Sequence, residues 1–241
     1  MQVFAHAARA FTQPSPATGQ ALAEQSHIKI ELPLDQLPNT LRPVVTPYGD
    51  AWDVLWLGHC GTSFPSADHQ PPLLRITIPN DPTVPTPRHL KPHPFALQDR
   101  LAELYPPYTR VVHASSETTC TQAYAVSQRG ARMLLWRFGL VEGLTKGWDF
   151  LLRDWCDGLY SSGNTTGDKN GSTGRPVCVT VQPPLFSHHF GKGAASDIMA
   201  PGGGFVNRER EMTPYVRRSV RLNMGRLVQG EGAVDQWEEE G

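Results

Sequence analysis

The stretch 120–138, CTQAYAVSQRGARMLLWRF, leaves the chain the fewest options. Ala123, Tyr124, Ala125 and Val126 read as a short buried strand, and the chain then runs directly into a helix. Ser127 stands at the junction, where its hydroxyl can accept a first-turn N–H that has no partner within the helix. From Ala131 onward, Ala131, Leu134, Leu135 and Phe138 fall on one helical face, which leaves Arg129, Arg132 and Arg137 for solvent. A strand feeding a helix in this way is a building unit of an α/β domain.

Other runs supply partners for that unit. Trp52 to Leu57 is apolar and ends in Gly58-His59-Cys60-Gly61, the pattern of a buried strand in a parallel sheet. Leu73 to Ile78, Arg110 to His113 and Val177 to Val181 are β-branched and read as further strands. Ligands of such sheets gather beyond the carboxyl ends of the strands. His59 and Cys60 therefore stand where a site would lie, although a bonded loop histidine and a disulfide are the plain alternatives. Trp148 to Cys156 reads as a second helix with Asp149 in its first turn or at its cap, where the dipole favours a carboxylate; Asp154 lies deeper. Met1 to Phe11 fits two or three helical turns, and Thr213-Pro214 reads as the cap and first residue of a helix over Tyr215 to Val228. Thr12 to Asp50, Phe64 to Pro107 and Gly158 to Arg175 are rich in punctuating residues and read as loops, with a brief extended piece at Ile28 to Ile30. Residues 229–241 read as a disordered acidic tail.

Composition narrows the function. A chain of 241 residues is long enough for one good core and one domain. Lys and Arg number 22 against 23 Asp and Glu, so no net field points to nucleic acid or an acidic membrane. No apolar run reaches the roughly 18–20 residues that span a bilayer, and MQVFAHAARAF carries an arginine and no long apolar centre, unlike a signal peptide. The four cysteines, Cys60, Cys120, Cys156 and Cys178, form no C-x-x-C, and they allow two disulfides in any of three pairings. Asn164-Thr-Thr and Asn170-Gly-Ser fit the glycosylation pattern, so cysteines and sequons together suit a secretory lumen. No G-x-S-x-G is present to suggest a serine hydrolase, and no D-x-D occurs.

One resemblance gives these pieces a common meaning. Tyr124-Ala-Val-Ser127-x-x-Gly130-Ala131-x-x-Leu134-Leu135 resembles the AY-(I/V)-S-x-x-GA-x-x-LL signature of glycosyltransferase family 25, the lipopolysaccharide-type transferases with relatives among collagen galactosyltransferases. WDVLWLGHCG at 52–61, GWDFLLRDWC at 147–156 and SDI at 196–198 resemble its filamentous-fungal branch. The resemblance covers the chain to about Leu227 and implies a partial domain over 1–228 of the GT-A-like, Rossmann-like α/β kind. It implies inverting, Mn²⁺-assisted transfer of a hexose, galactose from UDP-galactose, to a hydroxyl of a glycan or protein in the secretory lumen. Asp149 matches the family's aspartate after the signature helix and would take the acceptor's proton as general base. Tyr124, His59, Lys192 and Asp197 would contact substrate, Lys192 as a point charge for diphosphate. His188 or His189 would complete the metal site. In the family an acidic motif that holds metal and diphosphate lies just before the first helix, and here nothing precedes Met1. The expectation is an N-terminally incomplete domain, in the cytoplasm if it is truncated as written. The alternative is then a remnant that binds glycan or protein without the nucleotide sugar.

Overall fold

In the computed structural model, residues 2–15, 30–37, 39–65, 73–90, 99–161, 175–193 and 209–237 are described. Six strands build one mixed sheet: β1 (Ile30–Pro33), β2 (Val54–Gly58), β3 (Leu73–Ile78), β4 (Arg110–Ala114), β5 (Ala123–Val126) and β6 (Cys178–Gln182), in the order β1-β3-β4-β6-β2-β5. β1 pairs parallel to β3 and β2 parallel to β6, whereas β4 runs antiparallel to β3 and β6, and β5 antiparallel to β2. The carboxyl ends of β1, β2, β3 and β6 therefore share one edge of the sheet. The chain is an α/β protein whose sheet is mixed, where the apolar run at β2 had suggested a parallel one. β1 begins at Ile30, the last residue of the brief extended piece expected at Ile28 to Ile30, and runs on to Pro33, while Ile28 and Lys29 lie outside the described residues.

Both faces of the central strands are covered. Every residue of β6 is buried, as a strand covered on both faces requires. On one face Leu55, Ile76, Val112, Val179 and Val181 meet Phe4, Ala7, Ala8 and Phe11 of helix α1 (Gln2–Thr12). Alanines at 7 and 8 let the helix axis come close to the sheet. On the other face Val54 and Trp56 pack against Leu134 and Phe138, and against Leu151, Leu152 and Trp155. These side chains come from α3 (Gln128–Leu134), the π-helical turns Leu135–Val141 that continue it, and α4 (Trp148–Cys156). A third cluster, Val84, Leu90, Leu101 and Val111, sits beside the short helix α2 (Leu101–Leu104). Two disulfides, Cys60–Cys120 and Cys156–Cys178, settle the pairing that spacing left open.

The junction behaves as read in two respects and departs in three. Ser127 caps α3, its hydroxyl accepting from the N–H of Gly130 at 3.0 Å. However, β5 is an edge strand and only half-buried, with Tyr124 exposed, because among the described residues no further strand pairs beyond it. Leu135 is 70% exposed, since the wider π turn that begins there rotates it off the α-helical face. Arg137 is drawn in, its side chain 19% exposed and donating to the Tyr160 carbonyl at 2.7 Å, whereas Arg129 keeps to solvent as read and also forks onto both oxygens of the buried Asp53 at 2.7 and 2.9 Å. Gly130 is explained by the same contact, because a Cβ there would stand 2.5 Å from the carbonyl oxygen of Asp53.

The C-terminal region also differs from its reading. The last helix, α5, covers Val220–Val228 and is capped by Ser219, which accepts from the N–H of Leu222. Thr213, read as the cap, is buried and bonded to the Ser219 hydroxyl, and Tyr215 takes a positive φ of 63° that a helix excludes. Past the helix the chain is no free tail through Trp237. Asp235 pairs with Arg217, Gln236 bridges Thr213 and Val216, and the Trp237 ring stacks on His89 at 3.9 Å.

Candidate functional site

The loop 115–121 delivers the chain to β5 and crosses the carboxyl end of β2. It is held there from three sides. The Cys60–Cys120 disulfide ties it to the end of β2, and the N–H of Cys60 donates to the Thr119 carbonyl at 2.9 Å. Below it, the Thr62 hydroxyl lies 2.7 Å from that of Thr118, which in turn lies 2.8 Å from that of Ser115. Over it lies α4, whose two ends each offer a carboxylate. Asp149 accepts from the N–H of Cys120 at 3.2 Å, and Asp157 accepts from the N–H of Glu117 at 3.2 and 3.3 Å.

Asp149 occupies the first turn of α4 without capping it; Gly147 is the cap residue and has no side chain to offer. Its neighbour Trp148 donates its indole N–H to the Tyr124 hydroxyl at 2.9 Å. The fold thus brings the signature tyrosine, an aromatic platform and the expected base together at one edge, from stretches 24 residues apart. Tyr124 and Phe150 are exposed and Trp148 and Asp149 half-buried, so a ligand can reach the group. Tyr124 owes its exposure to its edge strand, and Trp148 and Asp149 owe theirs to the start of a helix whose Leu151, Leu152 and Trp155 face the core.

The other expected site residues divide. His59 is fully buried, with its Nε2 donating to the Val181 carbonyl at 2.9 Å; burial holds it down to about 4, so it stays neutral and does not meet solvent. His189 is half-buried, its Nδ1 3.0 Å from the Thr213 hydroxyl and its Nε2 3.6 Å from Glu211. His188 is exposed beside the Phe190 ring, and Lys192 is exposed in a turn. Asp197 and both sequons lie outside the described residues. Among the described residues no group of three histidine, cysteine, aspartate or glutamate side chains is placed to hold a metal. His188 and His189 by themselves do not make the donor set that Mn²⁺ needs. Asp154, the second choice as base, is buried and engaged by Lys146 and Arg153.

Asp157 was not picked out by spacing. Burial pushes its carboxyl up to about 6, with the nearby Glu117 pushing the same way against the N–H of Glu117, Arg175 and Arg153. One local signal does mark it: an acid between Cys156 and Gly158 ends a helix where the dipole disfavours negative charge. No helix among the described residues is long and apolar enough to cross a membrane.

What these features define is an α/β domain with an aromatic-and-carboxylate group at the carboxyl edge of its parallel strands. Comparison with family models, with curated proteins and with solved structures finds no match for the chain.

Proposed function

We propose that the chain belongs with the glycosyltransferases of family 25 and handles a carbohydrate hydroxyl at Tyr124, Trp148 and Asp149, in transfer of a hexose from a UDP-sugar. One observation carries the reading: the indole-to-phenol hydrogen bond that joins the signature strand to the helix bearing Asp149. An aromatic edge beside a carboxylate suits a sugar, whose C–H face packs on a ring while its hydroxyls donate to the acid. Asp149 would accept the acceptor's proton as the hydroxyl oxygen attacks the anomeric carbon, and the nucleoside diphosphate would leave with the bonding electron pair. The N–H of Cys120 holds one oxygen of Asp149 and leaves the other free to face substrate. The disulfide at Cys120 fixes that N–H, so the base is positioned before substrate arrives. A GT-A arrangement, UDP-galactose as donor and a lumenal setting belong to the same proposal and rest on the resemblance alone; the resemblance also implies Mn²⁺, for which the described residues supply no donor set.

The test is calorimetric titration of the 241-residue chain with UDP-galactose, with and without Mn²⁺, alongside release of UDP. Asp149→Asn should leave donor affinity within about twofold and lower turnover by about 10²–10⁴-fold, the usual worth of a general base. A folded chain that binds no UDP-sugar under either condition overturns the transferase reading. Binding of glycan alone would then favour the remnant.

A further inference from the structure

A cleft lies between the segment that follows β6, Pro184 to His189, and the start of α5. Its volume is about 580 Å³, within the size range of small-molecule sites. Leu185, Phe186, Val216 and Met224 give it apolar walls. Four arginines line it, Arg110, Arg217, Arg218 and Arg221, with His189, and no acidic side chain stands among the lining residues.

The four arginines are not equivalent. Arg110 is buried and spent, forking onto Asp81, Thr83 and the Pro183 carbonyl. Arg217 is paired with Asp235. Arg218 and Arg221 stand exposed and have no hydrogen bond or ion pair among the described residues. Of the acids nearby, Asp81 is engaged by Arg110 and Asp235 by Arg217, while Glu211 is exposed, 3.6 Å from His189. An apolar cleft thus opens onto two guanidiniums without a bonded partner among the described residues, three positions apart, Arg218 just before the Ser219 cap and Arg221 in the first turn of α5. Ser219 satisfies the N–H of Leu222 there, which leaves the two preceding N–H groups of the first turn without an intrahelical partner.

We propose that this cleft binds an organic phosphate monoester, its phosphate on Arg218 and Arg221 and its apolar body against Leu185, Phe186, Val216 and Met224. Two planar forks supply more donors than a carboxylate's two oxygens use, and a phosphate has a third oxygen for them. The apolar walls are what separate an ester from the free ion, because inorganic phosphate would leave them wet. The inference stands on the cleft alone and is independent of the sugar-handling proposal.

Phenyl phosphate, inorganic phosphate and phenol, each titrated calorimetrically into the full chain, test it. Phenyl phosphate should saturate one site and bind at least about tenfold more tightly than either half, as expected when charge-assisted and apolar contacts act together. Arg218→Gln with Arg221→Gln should cost about tenfold or more, and both side chains are exposed, so the fold is kept. Met224→Trp, which fills the apolar wall and keeps the charges, should weaken phenyl phosphate and spare inorganic phosphate. Equal affinity in the double arginine variant overturns the proposal, as do an inorganic phosphate affinity matching the ester's and the lack of any saturable binding.

Discussion

At the scale of single residues, the titratable groups inside this protein pull its pH response in opposite directions. His59 and His113 are fully buried; desolvation, above all, holds them down to about 4 and about 3. Their carbonyl partners, Val181 and Ala114, only accept, so each ring spends its one N–H there and shows a bare nitrogen inward. In the unfolded chain these rings titrate near 6.5, so acid charges the unfolded state first and stability falls as pH drops below that value. Asp99 and Asp157 do the reverse. Burial raises each to about 6, so the folded state takes up their protons first, and folding gains as pH falls from about 6 toward the unfolded value near 4. The two effects overlap between pH 6.5 and 4 and largely offset. Asp99→Asn with Asp157→Asn removes one side of the balance. That variant should be more stable than the parent at pH 8, by about 1–3 kcal/mol after allowing for partial exposure, and should lose stability more steeply on acidification. Urea midpoints at pH 8, 6 and 4.5 measure this, and parallel profiles for parent and variant would show that the raised carboxyls do not exist.

At the scale of elements, the strand-to-helix junction shows what was legible and what was not. The cap at Ser127, the strands β3, β4 and β6, and the helix bearing Asp149 were all open to reading, because each rests on contacts a few residues apart. The edge position of β5, the burial of His59 and the late start of α5 depend on which strand or loop arrives from elsewhere, and spacing carries no trace of that. The same holds for the site: Asp149 and Tyr124 could be singled out one by one, but the indole that joins them needed the fold. Gly130 and Gly139 separate local from distant causes in one helix. An added Cβ at Gly130 meets the Asp53 carbonyl at 2.5 Å, and at Gly139 it meets nothing within 4 Å. Gly130→Ala must therefore push α3 off β2 and disturb the Asp53–Arg129 fork, at about 1–3 kcal/mol by analogy with overpacked cores. Gly139→Ala should be neutral or stabilise by up to about 1 kcal/mol through helix propensity. Thermal melts of the two variants decide it, and equal melting temperatures would mean that the close approach at Gly130 is absent.

At the scale of the whole molecule, the two disulfides divide the labour of holding the sheet and holding the site. Cys156–Cys178 joins α4 to β6 inside the apolar cluster of Val54, Trp56 and Trp155, with both cysteines buried. Cys60–Cys120 joins the end of β2 to the loop that carries the N–H bonded to Asp149, and Cys120 is only half-buried. The loops they close, 60 and 22 residues, give chain-entropy contributions of about 4 and about 3 kcal/mol, too close to rank the bridges by stability. Access and position do rank them. Mild reductant with a thiol label should modify Cys60 and Cys120 before Cys156 and Cys178, as read by peptide mass. Cys60→Ser with Cys120→Ser should loosen the loop over Asp149 and lower UDP release by at least about tenfold while the sheet persists, since misplacing a catalytic group costs rate before it costs fold. Cys156→Ser with Cys178→Ser should instead lower the melting temperature and leave the surviving folded fraction with its activity per molecule. If the first pair proves as silent in turnover as the second, the loop does not position Asp149, and the base must be sought at Asp157, the carboxylate at the other end of the same helix.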